Sequence, residues 1–518
     1  TMIDDYAFSK CISLTQVTFN DDSKLEMIKQ YAFYECKALK QITIPSSVTI
    51  IDDCAFSKCV SLAQVTFNND SKLEKIKQYA FYKCNALNQI TIPSSVNKIY
   101  NYAFSECISL TQVTFNDDSK LEKIKNYAFY KCKSLTQIAI PSSVYSIYNN
   151  AFSCCSSLKQ ISIPSSVKDF GDRIFDGIKT LEVIGDIEII NNNLFKGCTL
   201  LEKVSLPPTV TFIENKAFKG CTSLTEISIP SSVKFSDNTC EIFKGVKSLK
   251  ITGEIEFIPD NLFKNNSSLL EISIPSSVTS IGDNAFDGCS KLKCITFEDP
   301  SSVKSIGRLS FYNCSSLTKL SIFPYVESIG NYAFEGCSKI KEIPITSELN
   351  SIGDYAFNKC NKITEVIIPS SVTSIGNNAF SECSSLVKVS IPSSVEYFGQ
   401  SIFDGIKSLE IIGDVEVISN GLFKDCTYLE TISIPHSVTS IEDEAFFGCS
   451  SLKQISIPSS VNNFGQRIFD GIKSLEVIGD IKIIGNEMFK GCILLEKISF
   501  PSSVTSIGDN AFDGCSAL

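Results

Sequence analysis

Of the 22 cysteines, 18 occupy one slot, three residues after a phenylalanine, from Cys11 and Cys36 to Cys492 and Cys515. Thiols repeated at a fixed spacing could cross-link, ligate a metal or act as nucleophiles. Structural zinc needs ligand pairs that converge on a tetrahedron, and this spacing offers none. Where cysteine is absent, the slot holds Ile178, Val246, Ile406, Ile472 or Asn266. A position that accepts isoleucine is an apolar niche, and free cysteine behaves as a small buried hydrophobe. The expectation is a column of reduced, inert thiols. Cys54, Cys154, Cys240 and Cys294 lie off the column, and Cys294, on the outward face of a strand, is the best-placed reactive thiol.

Other chemistry is sparse. The only histidine, His436, replaces a serine in one Pro-Ser-Ser-Val turn, and a general base needs a partnered site. No G-x-S-x-G elbow occurs, nor a G-x-G-x-x-G or P-loop motif. Acidic loops recur at Asp21–Asp22, Asp70 and Asp117–Asp118. Calcium takes about six to eight oxygens from a shaped loop, so these read as solvated loops. No catalytic, cofactor or metal residues are therefore assigned, and the chain is expected not to be an enzyme. With 47 basic and 57 acidic side chains, the net charge is −10, which disfavours nucleic acid as a partner. No apolar run approaches the roughly 18–20 residues of a membrane span.

Polar columns are the remaining candidates for function. Gln16, Gln41, Gln64, Gln89, Gln112, Gln137 and Gln160 recur at one position, just before an apolar residue. Beside them run Thr18, Thr43, Thr66, Thr91 and Thr114, followed by Ala139 and Ser162. Two readings stay open: a docking surface for an extended protein partner, or an amide ladder that stabilises stacked strands. Further along, the first column turns charged, with Lys203, Glu226, Glu271, Lys319, Glu342, Glu365 and Lys388, so no single ligand fits its whole length. Tyr31 and Tyr34, Tyr79 and Tyr82, and Tyr127 and Tyr130 also recur. Tyrosines so placed serve interfaces or cover neighbouring turns.

The elements that carry these columns follow from one repeat. Twenty-three phenylalanines, from Phe8 and Phe33 to Phe489 and Phe512, are separated by 20, 23 or 25 residues. The template is L-x-x-I-x-I-P-S-S-V-x-x-I-G-x-x-A-F-x-x-C-x-x-L, nearly intact over 269–292. Alternation such as Ile42 and Ile44 predicts a short strand with one buried face. Pro45 ends it, having no N–H to donate. The spacing of Ile375, Ala379, Phe380, Cys383 and Leu386 predicts one or two irregular helical turns. A unit this small cannot close its own core, so neighbours must stack. The expected fold is an α/β repeat solenoid, with a parallel β-sheet on the concave face and short helical or 3-10 turns on the convex face.

Residues 1–518 form one such solenoid of about 23 repeats. Residues 1–152 carry 48-residue double repeats, in which Phe19, Phe67 and Phe115 open an F-N-x-D-S-K-L segment in place of I-P-S-S-V. Residues 152–286 and 380–512 carry triple repeats of about 66 residues, and 286–380 single repeats. Each triple repeat holds one 20-residue unit, where larger residues such as Ile174, Ile178 and Leu194 replace alanine or cysteine. Larger side chains there fill the void that a shortened coil would leave, and a local change of curvature is expected.

The strand-start leucine, the proline and the recurrent IG-x-x-AF-x-x-C resemble the 23-residue class of leucine-rich repeat. More narrowly, the chain resembles the BspA-like surface antigens, over its whole length. The resemblance implies a leucine-rich-repeat arc, displayed at the cell surface or outside the cell. It implies an adhesin-like protein without a catalytic site, binding proteins of a host or of neighbouring cells. An intracellular, cytoskeleton-associated scaffold is the alternative. Sequons at Asn69, Asn265, Asn266 and Asn313 offer a test, because glycans there exclude the intracellular reading. The chain starts and stops inside a repeat, so terminal caps are expected to be missing, and end-to-end self-association through open edges is an expectation.

Overall fold

A computed structural model describes residues 1–20, 22–236, 241–320 and 325–518. One coil shows how the template folds. Strand Gln41–Ile44 alternates exposed and buried residues, with Ile42 and Ile44 inward. Pro45 then accepts from the Val48 amide at 3.1 Å, closing a turn that sends Val48 inward with no exposure. A second strand, Ile50–Ile51, follows. Ala55, Phe56, Cys59 and Leu62 then line the interior, each fully buried. Successive coils pair in parallel through both strands, as in Gln41↔Gln64 and Ile51↔Ile76. The chain divides into two compact units, Thr1–Ile255 and Glu256–Leu518, and each is built this way.

The expected helical turns are not there. Among the described residues the return segment contains no helix, so the α component of the expected fold is withdrawn. The reason lies in the backbone amides. Ala32, Tyr34 and Cys36 donate to the carbonyls of Lys29, Tyr31 and Phe33, three residues back. Between them, Tyr31, Phe33 and Glu35 donate instead to Asp53, Ala55 and Ser57 of the next coil, at 2.8–3.0 Å. A helix needs every amide for its own i−4 carbonyl; here every second amide is spent on the neighbouring coil. The alternation places Tyr31 and Glu35 in the left-handed region, both at φ 57°. Such residues cost about 1–2 kcal/mol each, which the inter-coil ladder must offset.

Three side-chain columns complete the stack. The first is aromatic: Phe33–Phe56 and Phe56–Phe81 centroids lie 5.1 and 5.3 Å apart with planes within 3°. The second is formed by Asn and Asp after the I-G pair. Asp354 Oδ1 accepts the Asn377 amide at 2.7 Å, and Asn377 Oδ1 accepts the Gln400 amide at 2.8 Å. Glycine before Asn377 suits the close approach there, since a Cβ on Gly376 would lie 2.5 Å from the Asp354 nitrogen; earlier coils make the same bond with Lys125 or Tyr148 in that place. The third is the thiol column described below.

The 20-residue coils are where the stack changes. In the first unit the second-strand sheet stops at Asp169–Phe170 and restarts at Ile189–Ile190. In the second unit it breaks between Tyr397–Phe398 and Val417–Ile418, and again between Asn463–Phe464 and Ile483–Ile484. At these coils the phenylalanine planes tilt by 36°, 33° and 18°. The first strand lengthens to Thr180–Ile184, and Gly185 at φ +97° replaces the proline turn; a Cβ there would meet the Ile163 carbonyl oxygen at 2.6 Å. Val183 pairs with Ile161 on one side, while Leu181 pairs with Val204 on the other. The slip is an even number of residues, so inward side chains stay inward. Ile174, Ile178 and Leu194 are fully buried, as the volume argument requires.

Candidate functional site

The first-strand face brings the glutamine column together. Gln16, Gln41, Gln64, Gln89 and Gln112 are direct partners across five parallel strands. Thr43, Thr66, Thr91 and Thr114 project on the same side, exposed like the glutamines, because inward positions between them are taken by residues such as Ile42 and Ile90. Thr18 is also exposed, just beyond strand Gln16–Val17. Gln137 and Gln160 pair with each other in a separate sheet, and Gln160 then faces Glu182. That separation, between Gln112 and Gln137, is not visible in the sequence pattern.

The amides do not form a ladder with one another. Among the described residues from Gln16 to Gln137, the one side-chain hydrogen bond of these glutamines runs from Gln64 Nε2 to Thr66 Oγ1, at 3.4 Å. Further along, the same column pairs internally. Gln160 Nε2 donates to Glu182 at 2.8 Å, Lys203 meets Glu226 at 2.8 Å, Lys388 meets Glu410 at 3.5 Å, and Gln454 donates to Glu476 at 2.9 Å. In the first coils most of these donors and acceptors point to solvent unused, whereas further along the column pairs at Gln160, Lys203, Lys388 and Gln454 and not at Glu342 or Glu365.

The tyrosine face behaves otherwise. Tyr79, Tyr102 and Tyr127 stack at 4.7 Å, and Tyr82 and Tyr130 meet Tyr79 and Tyr127 edge-on. Lys58 donates to Tyr34 Oη at 2.7 Å and to Glu35 at 3.0 Å. These rings and charges are engaged with one another, which fits the reading of residues that cover neighbouring turns. Cys54 occupies the tyrosine slot between Tyr31 and Tyr79, and its half-buried thiol is pushed up by burial.

The described cysteines are free thiols. Most thiols of the column donate to the phenylalanine carbonyl of the preceding coil: Cys59 to Phe33 at 3.0 Å, Cys107 to Phe81 at 3.1 Å, and Cys221 to Phe195 at 3.1 Å. Burial pushes Cys107 and Cys221 up to about 12, the chemistry of an inert thiol. Cys294 is half-buried on the strand face, between Glu271 and Lys319 in register. Cys154 is half-buried, and Cys240 lies outside the described residues. Asp22, Asp70, Asp117 and Asp118 are exposed, and Asp21 lies outside the described residues. His436 is exposed in its turn. Among the sequon residues, Asn69, Asn265 and Asn313 are exposed, but Asn266 is 2% exposed in the cysteine slot, where a glycan has no room. Among the described residues no three His, Cys, Asp or Glu converge as metal ligands, and no helix is long and apolar enough to cross a membrane.

Comparison with known proteins follows the same repeat. The family described as BspA type leucine rich repeat region (6 copies) matches residues 1–121, 74–192, 188–315, 304–413 and 404–518. No curated protein matches the sequence. Among solved structures, the chain is similar to a leucine-rich repeat protein from Bacteroides ovatus, at 23% identity over 85% of this chain and 92% of that one, with a TM-score of 0.39. It is similar to a leucine rich cell surface protein from Faecalibacterium prausnitzii, at 24% identity over 92% and 90%, TM-score 0.23. It is also similar to the pneumococcal vaccine antigen PcpA, at 17% identity over 93% and 84%, TM-score 0.26.

Proposed function

Because the chain belongs to the BspA type leucine-rich-repeat family, we propose that it is a non-enzymatic, protein-binding solenoid, displayed at the cell surface as an adhesin. Its partner is a protein of a host or neighbouring cell, and the docking surface is the strand face from Gln16 to Gln160 with Thr18 to Thr114. The observation that carries this reading is the run of exposed, uncharged glutamines in register across five parallel strands, with most of their hydrogen-bonding capacity unused. A partner would meet amides already held in register by the parallel sheet. Little ordering of the scaffold is then needed, which keeps the cost of binding low. Near-identical coils also offer repeated sub-sites, so attachment strengthens with contact length. The reduced thiols do not require a reducing compartment, since burial rather than the surroundings protects them.

The test is a triple substitution, Gln64→Lys, Gln89→Lys and Gln112→Lys. These side chains are exposed, so the far-ultraviolet circular dichroism melt should not move. Beads coated with the chain should adhere to protease-sensitive sites on cells, and the triple variant should lose at least about tenfold in adhesion, as expected when like charges replace the centre of an interface. Full adhesion by the triple variant would remove the strand face from consideration.

A further inference from the structure

The strand face is not uniformly closed. Strands running into an F-N-x-D-S-K-L coil pair over four residues: Gln41–Ile44 with Gln64–Phe67, and Gln89–Ile92 with Gln112–Phe115. Strands leaving such a coil pair less. Gln16–Val17 keeps two pairs with its successor, and Gln64–Phe67 keeps one, Gln64↔Gln89. Gln112–Phe115 and Gln137–Ala139 belong to different sheets. The pairing is lost where a larger ring ends the strand: Phe67 and Phe115 are only half-buried where Ile44 and Ile92 are buried. At the last of these junctions the threonine column also gives way to Ala139, which removes a side chain from the gap.

The result is an open cleft of ≈ 300 Å³, at the small end of ligand sites, which span about 300–1,000 Å³. Gln112, Gln137 and Gln160 supply amides, Thr114 and Ser162 supply hydroxyls, and the Phe115 ring and Ala139 supply apolar surface. No charged side chain lines it. The nearest carboxylate, Glu182, is occupied by Gln160 at 2.8 Å. We propose that this cleft binds a neutral sugar unit of a glycan. Planar amides donate and accept to neighbouring hydroxyls, while the apolar C–H face of a sugar ring lies on Phe115 and Ala139. A charged group would lose water without a counter-charge, at a cost of several kcal/mol. An inserted peptide strand is disfavoured because the second strands of the same two coils pair directly, Lys123↔Ser146 and Ile124↔Ile147, which holds the coils one strand spacing apart. The cleft shares Gln112, Thr114, Gln137 and Gln160 with the proposed docking face, but its test reads binding of free sugars with Ala139 and Gln137 changed, whereas that face is tested by adhesion with Gln64, Gln89 and Gln112 changed, so the two fail separately.

The chain is titrated with maltotriose, cellotriose and chitotriose, with sialyllactose as the charged comparator, and with a blocked Ser-Gly-Asn-Ser peptide, using saturation-transfer NMR. At least one neutral trisaccharide should bind with a Kd on the order of millimolar, the comparators more weakly. Ala139→Trp, which fills the cleft from an exposed position, and Gln137→Leu should each weaken that binding at least about tenfold. Glu365→Gln, exposed at the same column position but outside both the cleft and the docking face, should leave it unchanged. Native ovalbumin retained better than enzymatically deglycosylated ovalbumin would assign the sugar to a glycoprotein; binding of free trisaccharides alone would assign it to a polysaccharide, and either outcome supports the site. No binding by any neutral trisaccharide, equal binding by Ala139→Trp, or preference for sialyllactose or the peptide would overturn it.

Discussion

Raising the pH from about 8 to about 10 should unfold the chain, ahead of the titration of its lysines at about 10.4. Cys107, Cys221, Cys289, Cys383 and Cys449 are pushed up to about 12 by burial. Their usual value in an unfolded chain is about 8.5. The thiolate is disfavoured in the fold because burial strips its water, and a backbone hydrogen bond from the preceding coil offsets this only in part. Between about 8.5 and about 12 the unfolded chain sheds protons that the folded chain keeps, so stability falls as pH rises. It is fully present below about 8.5, and each such thiol removes about 1.4 kcal/mol per pH unit above that. Five such thiols act in the same direction, so the chain is markedly less stable at pH 10 than at pH 7. Circular dichroism melts from pH 7 to pH 10, under reductant, should show a steep fall beginning near pH 9 and recovery at neutral pH. Melts that stay level to pH 10 would mean that the thiols reach solvent.

Phe104→Ala should be strongly destabilising, as should truncation of any interior ring of this column. Phe104 is fully buried, with ring centroids 5.3 Å from Phe81 and 5.4 Å from Phe129 and planes within 5°. Losing a buried phenylalanine costs about 3–5 kcal/mol through lost transfer energy and the cavity left behind. Two ring pairs, each worth about 0.5–1.5 kcal/mol beyond buried area, place this site at the upper end. Each coil contacts only its neighbours, so the loss should be local. Native-state hydrogen exchange should accelerate across the coils of Phe81, Phe104 and Phe129 and stay unchanged around Phe357. Uniform acceleration along the chain would contradict nearest-neighbour packing; no acceleration at all would contradict the buried stack.

Much of this architecture was legible because each column repeats one residue type. The inward Ile42 and Ile44, the buried Phe and Cys slots and the outward glutamines all follow from period and alternation. The convex segment misled for a physical reason. Spacings of three and four between Ile375, Ala379, Phe380 and Cys383 suit a helix, and they equally suit successive turns closed by i−3 bonds. What decides between them is where the amides of Tyr31, Phe33 and Glu35 go, and no periodicity records a bond to the next coil. One signal was present: Gly220, Gly288 and Gly448, two residues after the phenylalanine, adopt φ of 70–81°, at the position Glu35 takes in an early coil. The opening between Gln112 and Gln137 was equally hidden. Its ingredients, Phe115 and Ala139, are visible in the sequence, but only the strand pairing shows that they coincide.

The most direct measurement places a photo-crosslinking residue at Gln89, in the middle of the glutamine column, and another at Tyr145, exposed by 41% in the turn before strand Ser146–Ile147. Both tagged proteins are irradiated on intact cells in contact with their neighbours or host, and again after permeabilisation. Adducts to another protein should form from position 89 on intact cells and not from position 145. Adducts from position 145 alone, or from either position only after permeabilisation, would contradict a surface-displayed solenoid that binds through its strand face.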